Sequence, residues 1–482
     1  MSNTKSLKKN IAFSLIKQVL KVFFPIITFP FVSRILLEDN LGKYNFGLSI
    51  ISYFSILASL GISSYAIREG SRIRSDKNKI NRFASEIFTI NLLSTLSSYI
   101  LLMVLVIAWP KLHNYKMLLI IQSLTIVAGT FGVDWINSIY EDFEYMTKRY
   151  VFVKLISLVL IFMCIRNPKD YILYAAINSG VEILASIMNM LYVKRYVNIK
   201  IVTDIHLKWH LWPMFILFAN ALAVTIYVNS DITMLGLFRS ESEVGVYGVA
   251  SKMYQVSKNL INAITIVTIP RLAALLGEGD YKKYNMLLFK TLKTIVTFMF
   301  PLITGMFMLS KESVLFLGGE TYLDGEIAFK FLTLALIPVA IGNIFFDGVL
   351  IVNRKEKMCF LATVISALMN ILLNLLLIPS IGINGAAIST FIAEVLCCIL
   401  VIVFSKGYHS IPFKLDKDIF SVLTGLIAII VICTASKALF SKILYIIVSV
   451  SLSFITYGVV MVVFKNSVII SLFTSIRKRV FK

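Results

Sequence analysis

The chain has 482 residues, 58% of them hydrophobic and only 15% charged, with a mean hydropathy of +0.84, a balance that a water-soluble domain does not keep. It describes a protein that crosses a membrane many times. Lys and Arg number 47 against 26 Asp and Glu, an excess that would suggest nucleic acid in a soluble chain but here matches the basic cytoplasmic loops of membrane proteins, so no nucleic-acid partner is expected.

The N-terminal MSNTKSLKKN imitates the charged start of a signal peptide, yet the apolar run behind it continues without a small-residue cleavage site, which predicts a retained first span. At about 20 apolar residues per span, fourteen spans are expected, at 10–32, 44–67, 84–108, 117–138, 150–165, 170–193, 212–236, 245–269, 287–309, 327–351, 359–379, 384–404, 418–436 and 442–463. The fifth is short. The N-terminus and every second loop after it carry about three times the Lys and Arg of the intervening loops, which predicts cytoplasmic termini in a plasma membrane. The largest cluster is REGSRIRSDKNKINR, from Arg68 to Arg82. The outward loops are too short for a folded domain, and that weighs against an enzyme acting on the outer face.

An internal repeat is visible. LLEDNLGKYNFGLSI (36–50) aligns with RSESEVGVYGVASKM (239–253), matching Glu38 with Glu241, Gly42 with Gly245 and Tyr44 with Tyr247. Glu182 in the sixth span has a counterpart in Glu394 in the twelfth. The fold class expected is an all-α integral membrane protein of two six-helix lobes, 1–200 and 201–410, with two further spans in 411–463 and a basic cytoplasmic tail over 464–482. Repeats of this kind commonly flank a central substrate pathway.

Ionisable residues inside spans are costly, about 2.5–3.5 kcal/mol each near the centre, so those present are the first candidates for function. Lys17 and Lys21 share a helix face four residues apart. Lys17 is within snorkelling distance of the cytoplasm, whereas Lys21, about 11 residues or ~16 Å into the span, is too deep for that. Both are expected to face a water-filled cavity, with Lys252 and Lys258 of the eighth span extending the cationic surface from the second lobe. Asp231 is deep in the seventh span, Asn370 and Asn374 lie four apart in the eleventh, and Thr390 follows in the twelfth. Their oxygens suit a hard monovalent cation, or else form a hydrogen-bonded cluster joining helices. Asp134, Glu182 and Glu394 are further intramembrane acids, which pair with cations, relay protons or mark equivalent helix contacts in the two lobes. His206 and His210 have metal spacing but lack a third ligand. The five cysteines stand in apolar stretches as small apolar residues.

PFVSRILLEDNLGKYNFGLSIISYFSILASLGISSYAIREGSRIR (30–74) resembles the N-terminal signature of the bacterial polysaccharide-repeat-unit flippases of the multidrug/oligosaccharidyl-lipid/polysaccharide exporter superfamily. GVDWINSIYEDFEYMTKRY (132–150) resembles the end of that family's fourth helix. One departure is Leu37, where relatives usually carry Gly. The resemblance implies a V-shaped, alternating transporter that moves polyprenyl (undecaprenyl) diphosphate-linked oligosaccharide outward and breaks no bond. It implies Lys17, Lys21, Lys252 and Lys258 as diphosphate ligands, because a related flippase of the peptidoglycan precursor uses cations of its first, second and eighth helices. That relative's sodium site has an acid on helix seven, a pair four apart on helix eleven and a threonine sixteen further on. Asp231, Asn370, Asn374 and Thr390 reproduce the spacing, with Asn374 in place of a carboxylate, so Na+ or H+ is the expected coupling ion and no other cofactor is implied. Membrane lipids, a polysaccharide polymerase and a chain-length regulator are the partners implied. The alternatives are a cation-coupled multidrug exporter of the same superfamily, which intramembrane lysines disfavour, and a membrane glycan polymerase or ligase.

Overall fold

A backbone crossing hydrocarbon must satisfy its own N–H and C=O groups, and the expected spans do so as helices. The structure is a computed structural model that describes residues 7–410, 416–440 and 442–480, and no strand occurs among them. In chain order the helices are α1 (Leu7–Ser59), α2 (Ile62–Ile73), α3 (Lys77–Ala108), α4 (Pro110–His113), α5 (Lys116–Gly132), α6 (Asp134–Ile139), α7 (Phe143–Cys164), α8 (Tyr171–Val193), α9 (Leu207–Phe238), α10 (Glu241–Gly277), α11 (Tyr281–Met308), α12 (Ser310–Leu317), α13 (Glu326–Asn343), α14 (Glu356–Phe404), α15 (Lys417–Leu439), α16 (Lys442–Val463) and α17 (Ser467–Val480). A π-helical stretch, Ile344–Ile351, prolongs α13.

Eleven helical segments among the described residues are long and apolar enough to cross a membrane. The expected spans outnumber them because α1 and α14 each hold two spans joined across a bend, and because α7 carries Lys148, Arg149 and Lys154 in its apolar run. The expected fifth span, 150–165, is therefore too short: the polar residues before it are helical as well. Side chains such as Phe454, Leu376 and Val463 stand largely exposed, as surfaces that face lipid rather than water do.

Two compact units are distinguished, Met1–Gly248 and Val249–Lys482. In the first, α9 packs on α1 and α2, and α1 is the common partner of α3, α5, α7 and α9. In the second, α13 packs on α14, and α11 on α13 and α15. Asp76 and Asp416 cap α3 and α15 by accepting backbone N–H groups of the first turn, which satisfies donors the helix leaves orphaned. Asp418 and Lys293 then pair at 2.6 Å, and Asp418 also accepts the Ser467 hydroxyl at 2.6 Å. That contact pins the start of α17 to α15.

The bends have local causes. In α14 the backbone breaks at Ile381 and Gly382, with φ of +55° at the glycine, a conformation that costs glycine nothing. In α1 the break falls on Leu37, with φ 60° and ψ 172°. This region belongs almost exclusively to glycine and costs other residues about 1–3 kcal/mol. Leu37, the position at which the resemblance leads one to expect Gly, is thus the strained residue, and it is 38% exposed. Leu37→Gly is expected to relieve the strain at a smaller entropic cost of ~0.5–1 kcal/mol, raising the thermal midpoint of the purified protein in detergent. An unchanged or lower midpoint would show that the leucine side chain offsets its own strain.

Candidate functional site

In the first unit, charged residues from four helices gather around α1. Val133 adopts a left-handed conformation, φ 38°, which ends α5 and turns the chain so that Asp134 opens α6. The Asp134 carboxylate receives Nη2 of Arg149 at 2.5 Å. Arg149 is 7% exposed, its guanidinium lies 5.6 Å from the Tyr145 ring centroid, and its Nη1 is buried with no acceptor among the described residues. The Thr147 hydroxyl donates to the Phe13 carbonyl at 3.0 Å, holding α7 against α1 at this level. Lys17 is half-buried on α1 and lies within electrostatic range of Asp134, Lys21, Arg149 and Glu182. Lys21 is exposed, one turn further. Lys154 of α7 pairs with Glu182 of α8 at 3.0 Å. Four cations thus share two carboxylates, and the site keeps a positive surplus that an anion could balance.

Asp231 is buried on α9 and accepts the hydroxyl of Tyr247, sixteen residues later on α10. Next to it, Thr233 bonds to Tyr53 at 3.0 Å and to Ser49 at 3.1 Å, which joins α9 to α1.

In the second unit, Glu394 on α14 is buried and accepts both the Lys258 ammonium and the Tyr254 hydroxyl at 2.6 Å. Lys258 is thereby held by a carboxylate, and Lys252, two turns earlier on α10, is half-buried. Asn370, Asn374 and Thr390 are buried on α14, with the Asn374 amide donating to Asn370 Oδ1 at 3.2 Å. Carboxylate, amide and hydroxyl oxygens are the donors a hard cation takes, so the chemistry of the predicted set fits Na+. Asp231 belongs to the first unit and the other three to the second.

His210 serves structure. It is buried between the Tyr65 hydroxyl and the Glu86 carboxylate, both at 2.8 Å, and no group of three or more metal-ligating side chains placed to hold an ion occurs among the described residues. A second buried knot, Asp142 with Tyr192, Arg195 and Tyr196 at 2.5–2.7 Å, fixes the start of α7 to the end of α8.

Sequence reading missed Arg149 and Lys154. Arg149 was placed in a loop ahead of the fifth span, and Lys154 stood inside that span without being matched to Glu182, although a cation and an acid in neighbouring apolar runs were a usable signal.

Fold and site together describe a polytopic α-helical protein with cations and carboxylates paired across its apolar helices. Residues 7–276 match the family model described as polysaccharide biosynthesis protein, and the chain belongs to that family. It is 20% identical over 413 residues to an Escherichia coli K12 protein described as an O-antigen transporter, covering 84% of this chain and 98% of that one. Among solved structures it resembles the lipid II flippase MurJ in its inward closed conformation, with a TM-score of 0.78 at 16% identity over 95% of this chain and all of that one. An inward-facing multidrug resistance MATE transporter follows with a TM-score of 0.61 at 12% identity, covering 81% and 97%. The expectation of a transporter rather than an enzyme agrees with these relatives.

The Lys258 pair has a measurable consequence. Glu394→Ala leaves a half-buried ammonium without its carboxylate, and since the Lys258 side chain is 30% exposed, the expected loss of stability is ~1–3 kcal/mol, below the cost at a fully buried pair. Thermal unfolding in detergent should show Lys258→Ala/Glu394→Ala recovering part of that loss. Equal destabilisation by the single and double variants would mean that the pair is not what holds Glu394.

Proposed function

We propose that this protein is a flippase that carries polyprenyl diphosphate-linked oligosaccharide across the cytoplasmic membrane by alternating access. The observation that carries the reading is the cationic surplus of Lys17, Lys21, Arg149 and Lys154 against Asp134 and Glu182, in a chain whose relatives are described as O-antigen transporters and whose fold is that of a lipid II flippase. A diphosphate brings the negative charge that such a site lacks. A transporter for cationic drugs would require the opposite sign, so the likeness to the MATE fold does not extend to that substrate class.

Arg149 has its geometry set by Asp134 and Tyr145, and it retains an unused Nη1 donor that can form part of a bidentate grip on an anion. Lys17 and Lys21 supply point charges on flexible stems. Lys252 contributes from α10, while Lys258 becomes available to substrate only if Glu394 releases it. Asp231 is the acid through which Na+ or H+ coupling would run, with Asn370, Asn374 and Thr390 as the oxygen donors for Na+. A glycan polymerase and a chain-length regulator would act on the product at the outer face.

Deleting the gene should cause diphosphate-linked oligosaccharide to accumulate on the cytoplasmic face, measured by its inaccessibility to an external glycosidase in intact spheroplasts. Accumulation on the outer face would favour a polymerase or ligase instead. Complementation by Lys21→Ala or Arg149→Ala is expected to restore export at less than a tenth of the parent rate with unchanged protein in the membrane. Full export by both variants would remove the anion site. For coupling, the expected result is that Asp231→Asn abolishes the dependence of export on a Na+ or H+ gradient. Gradient-dependent export at parental rate in that variant would take Asp231 out of the mechanism.

A further inference from the structure

The two repeated stretches meet each other through the residues that they share. A Cβ built on Gly42 of α1 would overlap the carbonyl oxygen of Glu241, and one built on Gly245 of α10 would overlap the carbonyl oxygen of Glu38. Gly42 and Gly245 are matched positions of the repeat, and so are Glu38 and Glu241. Each glycine therefore packs on the backbone of the other copy's glutamate, a reciprocal contact with quasi-twofold symmetry. Two flanking approaches are equally close: Gly248 against the Asn45 amide and Gly236 of α9 against the Phe46 ring. Glycines permit this because backbones touch without an intervening side chain. The hydrogen in place of each Cβ points at a carbonyl, a weak bond that adds to close packing.

We infer that this glycine contact is a seal, closed in the present conformation and parted once in each transport cycle at the membrane face opposite the N-terminus. Three observations support a contact that opens. It lies where the first span ends, beside the α1 break at Leu37, so α1 already has a flexure at its edge. Its attraction comes from van der Waals packing over a short stretch, of which a gap of about 0.5–1 Å already forfeits roughly a quarter to a half. Its two halves are also unequally satisfied. Glu241 accepts the Tyr115 hydroxyl at 2.7 Å, whereas Oε2 of Glu38 is buried with no hydrogen-bond partner among the described residues. Closure carries that cost and opening to water relieves it. Behind the seal lie Ser49, Tyr53 and Thr233, the hydrogen-bonded link between α1 and α9. The inference rests on the flippase reading only for what passes through.

The test places a thiol behind the seal and a lock across it, in a background whose five cysteines are replaced by alanine. Ser49→Cys is labelled on intact cells with a membrane-impermeant maleimide. For the lock, the Gly248 Cβ position lies 3.3 Å from Asn45 Cγ, the place where a cysteine at 45 carries its Sγ, so a second Sγ built on position 248 comes within reach of the ~2.05 Å S–S bond. Replacing Asn45 also removes the amide that would clash. With Asn45→Cys/Gly248→Cys oxidised, labelling of Ser49→Cys should fall at least tenfold and glycan export should stop, both returning on reduction. Gly42→Leu, which cannot close, should raise labelling at least tenfold. Export at the parent rate by the oxidised chain overturns the seal, as does unchanged labelling in both the locked and the Gly42→Leu proteins. If Gly42→Leu fails to reach the membrane, the locked pair alone decides. Reversible control of labelling with no change in lipid-linked oligosaccharide sustains the seal and refutes the flippase reading.

Discussion

The cost of a charge in a low-dielectric layer organises this protein. Three cations that α7 and α10 bring into apolar runs are met by carboxylates from other helices: Arg149 by Asp134, Lys154 by Glu182 and Lys258 by Glu394. Each pair ties one helix to another, because an isolated ion in hydrocarbon is far less stable than a paired one. Once these pairs are set, the helix packing of each unit has little freedom, and what remains positive is available to a ligand. Lys17 and Lys21 form that remainder in the first unit. The charge of Lys17 is tolerable because it is near acids on α6 and α8 without being fully neutralised, and Lys21 is exposed.

The positions matched by the sequence alignment differ in what they have in common. Backbone features are common to both copies, in glycines that allow close approach and in acids at matched positions of α8 and α14. The partners differ, since Glu182 takes its lysine from α7 and Glu394 takes its lysine from α10. A helix-packing contact survives duplication if small residues remain small. An ion pair needs only some cation within reach, so the supplying helix can change without loss of compensation.

The spans were legible in the sequence because length and hydropathy are one-dimensional properties, and the fourteen expected stretches all fall on helices. The joins were less so. Nothing in the composition around Leu37 announces a positive φ; the departure from glycine pointed to the position but not to the strain. The candidate lysines were legible as charges in apolar runs, but their partners were not. Arg149 and Asp134 are separated by a helix end and a turn, and Tyr247 reaches Asp231 from the next helix, so neither relation has a fixed spacing to read. The glycine contact was half legible. The alignment found the matched Glu and Gly, but only coordinates bring the two copies together.

Under the proposed function an anion must be bound firmly enough to leave water and loosely enough to be let go, and the basic residues offered to it divide along that line. Arg149 is held by Asp134, backed by Tyr145 and almost fully buried, so little conformational entropy is left to lose when its free donor engages. A site made only of such residues would bind well and release slowly. Lys17 and Lys21 have longer freedom and no fixed fork, and their charges can follow a headgroup and withdraw to nearby acids. One preorganised arginine for recognition and several mobile lysines for transit is therefore a better arrangement for a carrier than a cluster of arginines, because strong ground-state binding lowers turnover as well as the occupancy threshold.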